Sequence, residues 1–300
     1  GSEMCIRDRL CTMLKLTIGK LNIQLEGVDN IDIPKNTLLF QSTFEITDLT
    51  YNFRIKKNLP PIQYPIIYQT KDLIVFAKPQ KREVRLFYMP DTHNWYGYYE
   101  EISEKEIIVY VNEAYRKYLQ IDTIFISLLA LERHEAQRGA FVLHCAYLDF
   151  DSNAILFSGP SGIGKSTHSE LWCREYPDKA HVLNGDKCLL TLENGQIYAN
   201  GWPVCGSSGI CHNKKRKVAC IILLQQAMVN QFVEEKNICN FKQILAQTTI
   251  NYWNNSYTNQ AMDFIESLLR QVGCGTYACN ISSKAVVILY KELKERKWIY

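Results

Sequence analysis

The sequence predicts an α/β (α+β) protein in which a β-rich N-terminal region precedes a region of mixed strands and helices. Two observations support this prediction. Residues 14–110 contain short alternating apolar segments separated by turn residues, a pattern that is typical of β-strands. Residues 159–166 read Gly-Pro-Ser-Gly-Ile-Gly-Lys-Ser, between an apolar run at 154–157 and a helix-like segment at 167–172. We therefore expect a β-rich region over residues 13–115 and a loop-containing domain over residues 116–300.

The composition is that of an ordinary globular protein and excludes several function classes. Hydrophobic residues make up 47% of the 300 residues and charged residues 22%. The net charge of +3 is too small to indicate a nucleic-acid partner. No apolar stretch reaches the roughly 18 residues that a membrane span needs. The 11 cysteines are scattered without a Cys-x-x-Cys pair, so we expect reduced, mostly buried thiols and a cytoplasmic location.

The first 12 residues are expected to be a non-native leader. Residues 4–9, Met-Cys-Ile-Arg-Asp-Arg, resemble the translation of a sequencing adapter. We therefore leave residues 1–12 out of the fold prediction, and we expect that either the natural start lies near Met13 or the true start is missing.

The N-terminal region is predicted to consist mainly of strands. Residues 14–18 and 21–25 alternate around Gly19 and Lys20, which predicts a hairpin. Prolines at 60, 61 and 65 interrupt the middle of the region. Further strands are predicted at 39–46, 66–69, 73–77, 84–88, 95–99 and 107–111.

The second region is predicted to mix strands and helices. A helix is expected over residues 121–138, ending at Gly139. Two apolar strands at 141–146 and 154–157 flank a polar turn at 149–153, which predicts an antiparallel hairpin. After the glycine-rich loop we expect a helix to about residue 174, strands at 181–184, 188–192, 196–200, 218–225 and 275–279, and helices at 241–249, 261–272 and 283–295.

Residues 159–166 match a phosphate-binding loop (P-loop, or Walker A motif) at every fixed position. Its glycines allow the backbone N–H groups to turn inward, and with the following helix N-terminus they form an anion cradle. Lys165 is expected to reach the β- and γ-phosphates of ATP, and the Ser166 hydroxyl to bind Mg²⁺. The alternative is an incidental glycine-rich turn. The predicted nucleotide-binding residues are Gly159, Ser161, Gly162, Ile163, Gly164, Lys165, Ser166 and Thr167.

Two further residues are candidates for catalysis. Asp186 follows the predicted strand at 181–184, where a carboxylate could bind Mg²⁺ or accept the proton of an attacking hydroxyl. The alternative is a turn aspartate, because Asn184-Gly185 is a turn signal. His144 lies on the strand that precedes the P-loop strand and could contact the γ-phosphate or tune Asp186. The alternative is a core histidine.

A small-residue loop and a run of cations follow. Residues 201–213 are rich in glycine and serine, which favours a loop that lets the backbone approach a ligand. Residues 214–217 read Lys-Lys-Arg-Lys. Such a run is usually a solvated surface segment, and the functional alternative is a clamp for phosphate groups.

These features together resemble the HPr kinase/phosphorylase family, which shares its nucleotide-binding core with phosphoenolpyruvate carboxykinase. The resemblance rests on His144, the P-loop, Asp186, the loop at 201–213 and the apolar strand at 218–225. It is strongest to the HPr-kinase-like proteins of peptide-modification gene cassettes, some of which phosphorylate a precursor peptide. It implies an HPr-kinase/phosphoenolpyruvate-carboxykinase-like P-loop domain with a mixed sheet.

The sequence departs from that family in two respects. The family commonly has two adjacent acids where this chain has Gly185-Asp186, so Asp186 would serve as metal ligand and base together. The glycine-rich signature of phosphorylase activity is not recognisable, so we do not expect phosphorolysis.

The leading functional hypothesis is an ATP-dependent serine/threonine-type phosphotransferase. It would use ATP and Mg²⁺ to phosphorylate a hydroxyl of a peptide or small protein, for example a precursor peptide, and it could be an oligomer. Catalysis is assigned to Asp186, His144 and Lys165, and Mg²⁺ binding to Ser166 and Asp186. The alternative is a catalytically weak nucleotide-binding regulator or partner-binding protein. A carboxykinase acting on oxaloacetate is disfavoured because the additional metal ligands and substrate-binding cations are not found.

Overall fold

The computed structural model describes residues 13–233 and 237–299, so the predicted leader lies outside the described residues. The chain divides into two compact units. The first is formed by the N-terminal strand and Leu21–Leu129, and the second by Ala130 onward together with the short segment Ile18–Lys20. Each unit contains its own mixed sheet, so the protein is a mixed α/β chain.

The first unit is built around an eight-stranded sheet. Its strand order is β1-β2-β3-β8-β7-β6-β5-β4. The pairs β2–β3 and β3–β8 are parallel, and β4 to β8 are joined as an antiparallel meander. The elements are β1 Leu14–Ile18, β2 Leu21–Glu26, α1 Lys35–Leu38, β3 Leu49–Lys56, β4 Ile66–Gln69, β5 Leu73–Ala77, β6 Glu83–Tyr88, β7 Trp95–Glu101, β8 Glu106–Asn112 and α2 Asp122–Ser127.

The strand predicted at residues 39–46 is wrong. The chain forms the short helix α1 after Pro34, and Gln41 makes one isolated bridge to Leu16. The strand β3 was not predicted, although its residues Leu49, Tyr51 and Phe53 are buried in alternation. The strand in this part of the chain therefore begins at Leu49, ten residues after the predicted start at residue 39.

The second unit has helices on both faces of its sheet. The strand order is β10-β9-β12-β13-β14-β16-β15, with β11 paired to β9 and an additional parallel pairing of β10 with β14. The elements are α3 Leu131–Ala136, β9 Ala140–Phe150, β10 Asn153–Ser158, α4 Lys165–Glu175, β11 Ala180–Asn184, β12 Lys187–Glu193, β13 Gln196–Asn200, β14 Arg216–Gln226, β15 Gln231–Val233, α5 Asn237–Gln247, α6 Asn255–Gln271, β16 Gly273–Cys279 and α7 Ser283–Glu295.

Two hydrophobic clusters cover the two faces of this sheet. One contains Ile244 of α5 and Phe264 of α6. The other contains Trp172 of α4 and Leu289 of α7. Burial on both faces explains why the central strands read as continuous apolar runs instead of alternating ones.

The predicted hairpin of β9 and β10 is confirmed. The two strands pair antiparallel, with Ser158 opposite Cys145. Asp151 and Ser152 adopt φ values of 47° and 66° in the connecting turn, the conformation that two-residue hairpin turns require. β10 is therefore held between β9 on one side and β14 on the other.

The single helix predicted at residues 121–138 is wrong. It is divided into α2 and α3, because Ala130 adopts a left-handed φ of 46°. Residues 128–131, Leu-Leu-Ala-Leu, are all fully buried, so this segment has no solvent face to sustain an amphipathic helix. Within residues 13–233 and 237–299, no helix combines the length and the apolar character required to cross a membrane.

Candidate active site

The P-loop connects the end of β10 to the start of α4. Its glycines take backbone conformations that L side chains rarely adopt, with φ values of 145° at Gly159, 79° at Gly162 and 108° at Gly164. Gly164 stands directly before the first turn of α4. The loop therefore leads into a helix N-terminus, whose unpaired N–H groups and positive dipole end favour an anion.

Lys165 is folded back onto the loop. Its Nζ donates to the carbonyl oxygens of Gly159, at 2.9 Å, and Pro160, at 3.1 Å. Burial lowers the pKa of Lys165, and the nearby Asp186 carboxylate opposes that shift. The ammonium group is thus held where its hydrogen bonds can be exchanged for those to a phosphate.

A cavity of about 250 Å³, here called the Lys165 cavity, brings together residues from four separate segments. These segments are β9, the P-loop with the first turn of α4, the turn between β11 and β12, and the loop at 201–213. Its lining includes His144, Lys165, Ser166, Asp186, Ser207 and Ser208. Among the predicted site residues, Gly159 and Ile163 belong to the loop but do not line this cavity.

The Asp186 carboxylate is contacted by two basic side chains. Its Oδ1 lies 3.2 Å from Nε2 of His144, and its Oδ2 lies 3.6 Å from Nζ of Lys187. The hydrogen bond from His144 is the main cause that lowers the pKa of Asp186, and partial burial opposes it. Asp186 is therefore ionised throughout the neutral pH range.

His144 is held from both sides of its ring. The residue pairs with Lys187 across β9 and β12, which brings its side chain next to Asp186. While Nε2 faces Asp186, Nδ1 lies 3.0 Å from Oε1 of Gln247 at the end of α5. Direct contact of His144 with a phosphate would require one of these two interactions to break.

Asn184 and Gln247 are two site residues that sequence reasoning missed. The fully buried Asn184 carboxamide accepts from the N–H groups of Asp186 and Lys187, both at 2.9 Å. It donates to the carbonyls of Trp202, at 2.9 Å, and Val204, at 3.1 Å. Asn184 thus fixes both the Asp186 turn and the start of the 201–213 loop. Its turn signal was visible in the sequence, whereas no local signal indicated Gln247.

The 201–213 loop packs tightly against the Asp186 turn. A Cβ atom at Gly185 would lie 2.3 Å from Oγ of Ser208, and one at Gly206 would lie 3.0 Å from Cβ and Cγ of Asp186. Gly185 therefore has no space for a larger side chain unless Ser208 moves.

The cationic run at 214–217 makes other contacts. Lys215 Nζ pairs with Glu193 at 2.5 Å, and Arg216 Nε pairs with Asp149 at 2.8 Å. None of the four cations lines the Lys165 cavity. These contacts favour the interpretation of residues 214–217 as a solvated surface segment over their interpretation as a phosphate clamp.

The oxygen ligands of the cavity are chemically suited to Mg²⁺. Ser166 offers a hydroxyl and Asp186 an ionised carboxylate, and both groups line the Lys165 cavity. Mg²⁺ prefers hard oxygen ligands and usually keeps several waters and phosphate oxygens, so two protein side chains suffice. Ser166 Oγ lies 3.4 Å from the Gly185 carbonyl, which places it beside the Asp186 turn.

Comparisons with known proteins give a likeness to solved structures alone. No family model matches the chain, and no curated protein matches it. A solved structure of the Hpr(Ser) kinase/phosphatase from Coxiella burnetii is similar at 15% sequence identity, covering 52% of this chain and 95% of that chain with a TM-score of 0.30. A likeness at this level establishes no family.

Proposed function

We propose that this chain is an ATP-dependent kinase that transfers the γ-phosphate to a serine or threonine hydroxyl of a peptide or small protein. The observation that carries the proposal is the shared cavity of the P-loop and Asp186. Lys165, Ser166 and the Asp186 carboxylate line one space of about 250 Å³. A phosphate-binding group, a metal ligand and an acceptor-binding carboxylate are therefore available at the same point.

In the proposed reaction the acceptor oxygen forms a bond to the γ-phosphorus. The bond from that phosphorus to the β–γ bridging oxygen breaks, and ADP leaves with the bonding electron pair. The acceptor proton is passed to the Asp186 carboxylate and then to water. Lys165 and the loop N–H groups stabilise the charge on the transferring phosphoryl group. Bound Mg²⁺ would neutralise charge on the β- and γ-phosphate oxygens.

In this proposal Asp186 serves mainly in binding and orientation. A carboxylate with a lowered pKa is a good metal ligand and a weak base. A loose phosphoryl-transfer transition state needs little base assistance, so a weak base is adequate. His144 and Gln247 would act as positioning residues, because they hold the carboxylate without reaching past it.

The proposal is tested with radiolabelled ATP, Mg²⁺ and an array of serine- and threonine-containing peptides. Lys165→Ala should abolish most nucleotide affinity, measured by calorimetry, in a folded protein. Asp186→Asn should lower turnover by about 10²-fold or more and reduce nucleotide affinity much less. Asp151→Asn is the matched control, since Asp151 pairs with Lys179 away from the cavity. Unchanged ATP affinity in folded Lys165→Ala would refute the proposal.

The second candidate is a nucleotide-binding regulator that transfers no phosphate. One observation favours it: Gly185 leaves no room for a second acid beside Asp186. The same experiment separates the two functions. A regulator would bind ATP through Lys165 and yet label no peptide, and Asp186→Asn would then change nothing beyond metal-dependent affinity.

A further inference from the structure

A turn in the 201–213 loop brings a serine to the Lys165 cavity. Residues 206–208 form one short turn, and the glycines on either side of its serines, Gly206 and Gly209, adopt left-handed φ values of 59° and 66°. Glycine takes this conformation without steric cost, so the turn holds its serines in place without strain. Ser207 lines the Lys165 cavity together with Lys165 and Asp186.

This turn lies against the Asp186 carboxyl group. A Cβ atom at Gly206 would lie 3.0 Å from Cγ and 3.2 Å from Oδ1 of Asp186. Ser207 is the next residue, about 3.8 Å further along the backbone. In the proposed reaction Asp186 orients the acceptor hydroxyl and takes its proton, so the acceptor has to lie beside this carboxylate. Ser207 therefore stands next to the place that an acceptor needs.

The fold does not use the Ser207 hydroxyl, whereas it uses that of the neighbouring serine. Ser208 Oγ donates to the Cys205 carbonyl at 2.7 Å and accepts from the N–H of Ile210 at 3.2 Å. Ser207 is exposed, and within residues 13–233 and 237–299 its hydroxyl makes no hydrogen bond. Such a hydroxyl can turn toward a phosphorus atom without losing a bond within the protein.

The other serine and threonine hydroxyls of the cavity lie on the nucleotide side. Apart from Ser208, they belong to Ser161, Ser166 and Thr167. In a phosphate-binding loop these positions surround the phosphates or bind Mg²⁺. In-line transfer needs the acceptor oxygen on the side of the γ-phosphorus that is opposite the leaving oxygen. Among the described residues that line the cavity, Ser207 therefore combines an unused hydroxyl with a place beside the carboxylate.

We propose that Ser207 is an internal phosphate acceptor, so that the chain phosphorylates itself at this hydroxyl. The inference rests on the proposed function, because it uses the same nucleotide, metal ligands and carboxylate. Ser207 Oγ forms a bond to the γ-phosphorus, and the bond from that phosphorus to the β–γ bridging oxygen breaks. ADP leaves with the bonding electron pair. The hydroxyl proton passes to the Asp186 carboxylate and then to water.

The contacts of the 201–213 loop favour a reaction within one chain. The Asn184 carboxamide donates to the carbonyls of Trp202 and Val204, and it accepts from the N–H of Asp186. The loop and the carboxylate are therefore fixed to the same buried side chain. A group that is held beside its reaction partner reacts faster than one that arrives by diffusion. A peptide hydroxyl needs the same place, so an added peptide should compete with Ser207.

The experiment incubates the chain with radiolabelled ATP and Mg²⁺ in the absence of peptide, and fragmentation mass spectrometry locates the phosphate. Wild type should carry phosphate on Ser207. Ser207→Thr keeps a hydroxyl and should be labelled at the same position, whereas Ser207→Ala should lose this label. Ser152→Ala is the matched control, because Ser152 is also exposed but lies in the turn between β9 and β10. Asp186→Asn should slow self-labelling about 10²-fold or more, as it slows the labelling of peptides.

A mixing experiment separates reaction within one chain from reaction between chains. Lys165→Ala loses the nucleotide and keeps Ser207, so it should stay unlabelled when wild type is added. The rate constant for labelling of wild type should not depend on the protein concentration. Label on Lys165→Ala in the mixture, or phosphate on other residues and none on Ser207, would overturn the proposal.

The internal acceptor and the proposed function fail in different ways. If peptides are labelled and Ser207 is not, the internal acceptor is refuted and the kinase stands. If Ser207 is labelled and no peptide is, the transfer chemistry stands and the peptide acceptor is refuted. If the chain binds ATP and neither acceptor is labelled, both proposals are refuted and the nucleotide-binding regulator remains.

Discussion

Asp186 is the residue on which the proposed chemistry depends most, and its surroundings decide what it can do. His144 and Lys187 both approach its carboxylate, and Asn184 fixes its backbone. The carboxylate therefore has few rotamers available and a stable negative charge. A fixed charge of this kind is better suited to holding a metal ion and an acceptor hydroxyl than to strong base catalysis.

The pKa of Asp186 should rise when His144 is replaced by Phe. The hydrogen bond from His144 is the largest cause that lowers this pKa, and burial then remains as the main opposing effect. A carboxyl group whose pKa is lowered in the folded state stabilises the fold at pH values above its ordinary pKa, and that stabilisation is lost as the pH falls through the folded-state pKa. In His144→Phe the folded-state pKa of Asp186 is higher, so this stabilisation should be lost at a higher pH than in wild type.

Carbon-detected NMR of the Asp186 side-chain carboxyl measures this shift directly. His144→Gln is the matched control, because a glutamine amide can still donate from near the Nε2 position. Its Asp186 should titrate closer to wild type than that of His144→Phe. An Asp186 carboxyl that titrates identically in wild type and His144→Phe would show that the His144 contact does not control this charge.

At the level of elements, the sequence predicted the strand, loop and helix of the P-loop and the hairpin that precedes them. These succeeded because their signals are local: glycines at a turn, an apolar run, and a polar turn between two runs. The break at Ala130 was not predictable, because it arises from complete burial of residues 128–131. β3 was predictable from the alternation of apolar and polar residues along it. The predicted strand was instead placed upstream, next to the apolar residues Leu38 and Leu39, which are 41% and 49% exposed.

In the candidate site, too, local sequence signals were predictive and contacts made only by the tertiary fold were not. The pairing of β9 with β12 brings His144 next to Asp186, whereas the hairpin of β9 and β10 was expected to bring it near the phosphates. The roles of both residues stay predictions. The contact between Gln247 and His144 was not predictable, because the two residues are over a hundred positions apart in the chain and only the tertiary fold brings them together.

The packing of the 201–213 loop on the Asp186 turn predicts a specific coupling between two positions. Gly185→Ala should displace Ser208, because the new Cβ would lie 2.3 Å from its Oγ and 2.4 Å from its Cβ. We expect turnover to fall about tenfold or more through misplacement of Asp186. Ser208→Gly removes both clashing atoms, so the double variant Gly185→Ala/Ser208→Gly should recover part of the loss.

A double-mutant cycle on turnover and Tm measures this coupling. Ser208→Gly alone should lose some stability, because Ser208 Oγ donates to the Cys205 carbonyl at 2.7 Å and accepts from the N–H of Ile210 at 3.2 Å. Strictly additive effects of Gly185→Ala and Ser208→Gly would show that the 201–213 loop does not constrain the Asp186 turn.

At the scale of the whole molecule, each unit has a sheet and a core of its own. The first unit contains an apolar cluster around Leu86 and Tyr98. The second contains the two clusters that sandwich β10 and β14. The Lys165 cavity lies in the second unit, so the direct effect of a ligand bound there belongs to that unit.

Hydrogen exchange should therefore show nucleotide protection that is local to the second unit. Mg²⁺-ATP at about 100 times its Kd stabilises the bound form by about 2.7 kcal/mol against openings that destroy the site. Amides of the P-loop, the first turn of α4 and the Asp186 turn should slow most, because their local openings break ligand contacts. Amides of β3 and β8, the central strands of the first unit, should exchange at unchanged rates, and Lys165→Ala should remove the protection everywhere.

Equal protection across both units, or none at residues 159–168, would contradict a nucleotide site of this geometry.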